Sequence, residues 1–241
     1  MMERLANSAK VLIGAVAICG SAVLVRGLWD WTHVDAGRFA SFLVIAVLAA
    51  MFKVKLPGMN SSMSVNLPFI LLAVAELSLP EALVVGCAST LAQCLRVAQN
   101  RRNPVQIVFN VCAVANAAAL AWVVFNRQHP ASDSPMYILM LGLAAASFLV
   151  ANTVPVAAIL SLTGNDNFFR VWGRMFLLTF PYYLLSAAVS AIMSAAGHYV
   201  GWQAALLAMP VMYVVYLSYR HYFQAHLQAS VPNAGAAAAG D

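Results

Sequence analysis

Charged side chains are scarce in this sequence: Asp, Glu, Lys and Arg make up 9% of its 241 residues, while 63% are hydrophobic. A soluble domain carries about 25% charged residues and needs polar faces to cover its core, so that class is excluded. The alternating ten-residue segments of a transmembrane barrel are missing as well. The fold class that remains is all-α, a polytopic integral membrane helix bundle, because helices satisfy their own backbone hydrogen bonds in lipid. The formal net charge of +5 comes from basic residues at helix ends, which points to a lipid bilayer and away from nucleic acid as a partner.

Cysteine chemistry is also thin. Cys19, Cys87, Cys94 and Cys112 all fall inside apolar runs with no CxxC spacing, which supports neither a disulfide framework nor a thiolate metal site; they read as small packing residues. H-E-x-x-H, G-x-S-x-G, a Walker loop and the paired acids that hold magnesium are all absent. His221 and His226, the closest histidine pair, stand five apart rather than three or four and have no third ligand nearby. No catalytic residue, metal or cofactor is therefore expected, and an integral membrane enzyme is the weakest of three functional readings. The N-terminal run lacks an A-x-A-like cleavage site, and Ile18 before Cys19 does not suit a lipoprotein site, so it reads as an uncleaved first helix.

What is present is apolar length. Clear spans run over about 11–29, 80–98, 104–125, 136–162, 169–196 and 199–219, with two shorter ones at about 36–52 and 64–79. That is six to eight transmembrane helices, two of them short, the short two being either full crossings or a re-entrant pair. With the N-terminus inside, ten of the thirteen Lys and Arg residues (Arg4, Lys10, Lys53, Lys55, Arg96, Arg101, Arg102, Arg170, Arg174 and Arg220) fall on the cytoplasmic side. Both termini are then cytoplasmic, in a multi-pass protein of a cell inner membrane. Residues 1–225 form the membrane domain, and 226–241, small and almost uncharged, read as a disordered cytoplasmic tail.

Helix packing is visible too. "SAAVSAIMSAAG" puts Ser186, Ser190 and Ser194 on one ridge of small residues that lets a neighbouring helix come close. Pro155, Pro181 and Pro210 are expected to kink their helices and free backbone carbonyls.

The stretch "KVKLPGMNSSMSVNLPFI", residues 53–70, interrupts the apolar pattern. Lys53 and Lys55 act as positive-inside anchors. Gly58 to Asn66 is either irregular backbone lining a cavity or a plain cytoplasmic turn, and both stay open. Polar side chains also occur at membrane depth, where they are costly and face the protein interior. Two readings fit: hydrogen bonds between helices, or a pocket for an uncharged, partly polar ligand. The candidate ligand-binding set is Asn60, Ser61, Ser62, Ser64, Asn66, Glu76, Gln93, Gln106 and Asn110, with Gln106 and Asn110 one turn apart on the same helix.

Residues 39–125 also carry motifs. A basic-LP-G turn, a Met-Ser step, "LPEAL", a Gly-containing helix ending in Gln93 and "PVQIVFN" together resemble the N-terminal membrane region of bacterial signalling proteins. There the region precedes a cytoplasmic HD-GYP phosphodiesterase or GGDEF cyclase domain. More loosely, the segment is similar to the substrate-binding S component of energy-coupling factor transporters. The first resemblance implies a membrane-embedded sensing module for a small or lipophilic ligand, signalling through its last helix or a cytoplasmic signalling partner. The second implies a solute transport protein that needs a separate ATPase partner. A homo-oligomer is compatible with either. The signalling family continues into a catalytic domain where this chain ends, so a stand-alone module or one acting through a partner is expected.

Overall fold

The computed structural model describes residues 7–29, 31, 35–55, 62–97, 104–128, 130–131, 134–164 and 166–200, together with positions 210, 213, 214, 217, 218 and 221. The expected tail at 226–241 lies outside the described residues.

Among the described residues up to Val200, seven helices carry the fold: α1 (Asn7–Trp29), α2 (Ala36–Ala50), α3 (Leu67–Glu76), α4 (Leu79–Val97), α5 (Pro104–Asn126), α6 (Pro135–Gly164) and α7 (Phe168–Val200). α1, α5, α6 and α7 are long and apolar enough to cross a membrane, while α2, α3 and Leu79–Leu95 of α4 are apolar but shorter. The body is therefore all-helical, with one addition to the expected fold. Lys53–Lys55 (β1) and Ser62–Ser64 (β2) pair as a small antiparallel hairpin, Val54 opposite Met63, and Val65 N–H extends it by donating to Phe52 O at 3.2 Å. Three residues of the Gly58–Asn66 stretch are thus regular strand rather than irregular backbone. The hairpin's tip lies outside the described residues.

Local chemistry sets the helix ends. Asp35 caps α2, its carboxylate accepting from Arg38 N–H at 3.2 Å. α3 begins at Asn66, whose carbonyl accepts from Phe69 and Ile70 N–H, with Pro68 in the first turn where no amide hydrogen is needed. Ser78 and Glu81 open α4: Glu81 accepts from the Ser78 N–H at 2.9 Å and from its hydroxyl at 2.6 Å, the side-chain half of a capping box. Asn167 caps α7 by accepting from Phe169 and Arg170 N–H. The expected break between residues 196 and 199 is absent, and α7 runs through Gly197 to Val200. Glycine alone does not end a membrane helix, and it is more frequent there than in soluble helices.

α3 sits at the centre. Every residue from Leu67 to Val74 is buried, and the helix packs against α2, α4, α5, α6 and α7. Ten residues give only about 15 Å of helix, so α3 is a half-length rod enclosed by longer ones. The serine ridge of α7 lies against it: Ser186 and Ser190 are fully buried, and the Ser190 hydroxyl lies 2.8 Å from both the Pro68 and the Ser186 carbonyl oxygens. The ridge thus does what its spacing predicts. Close approach also governs α1 against α5, where a Cβ on Gly20 would stand 2.5 Å from the Cβ of Cys112 and 2.6 Å from its carbonyl oxygen.

Candidate functional site

The polar centre of the bundle forms where α3 ends. Glu76 is the last residue of α3, and side chains from three other helices converge on its carboxylate. Arg38, in the first turn of α2, forms an ion pair with Oε2. The Ser194 hydroxyl of α7 donates to Oε1. The Tyr137 hydroxyl of α6 lies 3.0 Å from Oε1 and 2.7 Å from Ser194 Oγ. Each hydroxyl has one proton, so Ser194 serves the carboxylate while Tyr137 donates either to it or to Ser194.

Electrostatics explains why the arrangement needs Arg38. The C-terminus of a helix carries partial negative charge, so a carboxylate there is unfavourable without a cation. Arg38 supplies the charge, and its guanidinium also lies 5.8 Å from the centre of the Phe42 ring. Tyr137 is fixed from its other side by an edge-on contact with Phe125 of α5, 5.1 Å between ring centres. Two further carbonyls at the end of α3 are also engaged. Trp122 Nε1–H donates to Leu77 O at 3.2 Å, and Asn126 Nδ2 approaches Val74 O at 3.5 Å and donates to Trp122 O at 3.0 Å.

These contacts place the starts of α2 and α6 and the ends of α3, α5 and α7 at one end of the bundle. The hairpin, the end of α6 and the start of α7 lie at the opposite end.

The other candidates sit elsewhere. Asn66 is buried and donates to Ser89 Oγ of α4 at 3.0 Å, with Ser89 donating in turn to Gly86 O. Asn110 donates to Cys94 Sγ at 3.6 Å, joining α5 to α4. Gln106 is exposed on the first turn of α5, and Gln93 is half-buried on α4. Ser62 and Ser64 lie in strand β2, with only their backbone described; Asn60 and Ser61 fall outside the described residues. The bonds of Asn66, Glu76 and Asn110 described above thus lead to three different places in the bundle. Among the described residues, no three His, Cys, Asp or Glu side chains come together to hold a metal ion.

Sequence reasoning singled out Glu76 and missed its partners. From the sequence Arg38 reads as an outer-loop charge and Ser194 as a packing residue, and nothing singles out Tyr137. One signal was available: a lone acid at membrane depth requires a cation, and Arg38 is one of the few basic residues expected at the same end.

Comparison with known proteins adds the context. The MASE9 family model matches residues 23–223. MASE domains are membrane-associated sensor domains of signalling proteins, as the resemblance of residues 39–125 implies. No curated protein and no solved structure gives a significant match.

Proposed function

The chain belongs to the MASE9 family, and from that premise we propose that it is the membrane-embedded input module of a signalling system, with the Glu76 node as the element that changes state. The observation that carries this is the convergence of Arg38, Tyr137 and Ser194, from α2, α6 and α7, on one carboxylate at the end of a half-length helix. A switch needs a discrete element with two arrangements that a signal can bias. Four helices held by one carboxylate supply such an element, because loss of one partner releases the others together.

The stimulus is a small or lipophilic molecule that reaches the node from its own end of the bundle and competes for Glu76 or Arg38. The node then faces the outer side and both termini face the cytoplasm, in keeping with the Lys and Arg distribution and with the clustering of helix ends. Output leaves through α7 and the last expected span, at about 199–219, toward a cytoplasmic signalling partner. The membrane is an inner membrane, crossed six to eight times.

The test is a chimera carrying a GGDEF cyclase reporter after the C-terminus, read as cyclic dinucleotide per unit of membrane-inserted protein. Glu76→Gln and Arg38→Gln open the same contact and should shift output in the same direction, by about fivefold or more for a coupling of order 1 kcal/mol. Unchanged output in both, at equal insertion, would remove Glu76 as the switch.

A further inference from the structure

At the opposite end of the bundle from the Glu76 node, α7 starts with two exposed arginines, Arg170 and Arg174. The two are one turn apart, so their guanidinium groups share a face. Among the described residues neither has an ion-pair partner, and Asp166, four residues before Arg170, makes none with it. α7 itself is fixed by its neighbouring face. Phe168, Trp172, Phe176 and Phe180 form a continuous ladder of ring contacts, with successive centres 6.3, 5.7 and 5.1 Å apart, and Trp172 Nε1–H donates to Thr153 Oγ1 of α6 at 3.1 Å. The arginine face therefore has a fixed direction, outward from the bundle.

Below the arginines the same outward stripe turns apolar. Leu177 is 74% exposed, Pro181 is exposed, and Leu184 is 55% exposed. From Arg174 to Leu184 is ten residue steps, about 15 Å of helix. That matches the depth of one leaflet of a hydrocarbon core about 30 Å thick. Two cations at the head of a track one leaflet deep match the shape and charge of a single anionic phospholipid. Plain lipid-facing surface explains the apolar track and the positive-inside bias explains basic residues at this end, but neither sets both guanidinium groups on one face in line with the track, where among the described residues no acid pairs with them. Arginine is the residue suited to this task, since its planar fork binds phosphate oxygens in pairs.

We propose that Arg170, Arg174 and the Leu177–Leu184 stripe of α7 form a binding site for an anionic phospholipid of the cytoplasmic leaflet, with the headgroup phosphate on the arginines and an acyl chain along the stripe. Its placement in that leaflet rests on the orientation proposed above; its chemistry does not. The negative surface potential of the cytoplasmic leaflet concentrates such lipids where basic residues meet the membrane. Because α7 also carries Ser194 of the Glu76 node at its other end, the lipid would brace the inner end of a helix whose outer end belongs to the switch.

The experiment is native mass spectrometry of the full chain in detergent with equimolar phosphatidylglycerol and phosphatidylcholine of identical acyl chains. The wild-type chain should retain phosphatidylglycerol preferentially. Arg170→Gln/Arg174→Gln should lower that preference by up to about thirtyfold, in line with the attraction of about 1 kcal/mol that each basic residue supplies, while Arg170→Lys/Arg174→Lys keeps part of it. Arg127→Gln, an exposed arginine at the other end, should change nothing, and millimolar inorganic phosphate should leave the lipid in place. Equal retention of the two lipids, an unaltered preference in the double glutamine variant, or displacement by inorganic phosphate would overturn the proposal. Micelles have no sides, so this outcome is independent of orientation; labelling of Asp166→Cys from either side of sealed vesicles decides that separately.

Discussion

Arg38 and Glu76, thirty-eight residues apart, form an ion pair that joins the first turn of α2 to the last residue of α3. The Glu76 side chain is mostly covered, at 19% exposure, while Arg38 is 36% exposed. Removing one partner of a fully buried pair costs about 3–5 kcal/mol because the other charge is stranded, whereas an exposed pair contributes about 0–1 kcal/mol. This half-covered pair falls between. Arg38→Gln should destabilise the protein by roughly 1–3 kcal/mol, since it leaves the Glu76 carboxylate at the negative end of α3 with hydroxyl donors only. Glu76→Gln should cost less, because the stranded guanidinium is the more solvated group. The double variant should be more stable than the sum of the single losses predicts, and unfolding in detergent, run as a double-mutant cycle, measures that coupling. Additive losses would mean that the pair has no energetic link.

The end of α3 offers a second test, this one of local opening. Trp122→Phe keeps an aromatic ring but deletes the N–H that reaches Leu77 O. A net loss of about 1 kcal/mol is expected. The loss should appear locally, as faster hydrogen exchange of the Leu77 amide, which bonds to Ala73 O, with little change in α1. Adding Asn126→Leu removes the neighbouring contact to Val74 O and should speed the same amide further. Exchange that rises evenly across all helices would instead mean that Trp122 acts through global stability.

Much of the fold was legible because the bilayer imposes a length on apolar runs. The spans expected at 104–125, 136–162 and 80–98 became Pro104–Asn126, Pro135–Gly164 and Leu79–Val97. The serine ridge at 186, 190 and 194 pointed to close packing, and it packs against α3. What stayed hidden is tertiary. Glu76 meets Tyr137 and Ser194 across 61 and 118 residues of chain, and no local spacing encodes which hydroxyls an acid will find. The hairpin at 53–64 was hidden for another reason, since three-residue strands are too short to show a periodicity of two.

Ser190 tests the ridge itself. Its hydroxyl lies 2.8 Å from Pro68 O in a fully buried contact between α7 and α3. Ser190→Ala keeps the close approach and gives up one hydrogen bond, worth about 1 kcal/mol. Ser190→Leu forces the helices apart and should cost about 1–3 kcal/mol or more. Because Ser194 sits one turn further along α7, the Ser190→Leu variant should also weaken the Arg38–Glu76 coupling measured by the double-mutant cycle. A coupling energy that stays the same when the cycle is repeated on Ser190→Leu would separate the ridge from the node.

Gly20 and Gly14 make a matched pair on α1. A Cβ on Gly20 would stand 2.5 Å from Cys112 Cβ and within 2.7 Å of its Cα, whereas a Cβ on Gly14 meets nothing within 4 Å. The atoms facing Gly20 include the α5 backbone, which cannot move aside as a side-chain end can. Gly20→Ala should therefore cost about 1–3 kcal/mol by overpacking, despite the better helix propensity of alanine. Gly14→Ala, relieved of any clash, should be stabilising by up to about 1 kcal/mol on propensity alone. Asn116, one turn from Cys112, also ties the two helices through its amide, which donates to Val16 O at 3.3 Å. Displacement of α1 should thus make Asn116→Leu less costly when combined with Gly20→Ala than in the wild type, because that bond is already stretched. Unfolding curves for the wild type and these variants decide the matter, and a Gly20→Ala protein as stable as Gly14→Ala would refute the close approach of α1 and α5.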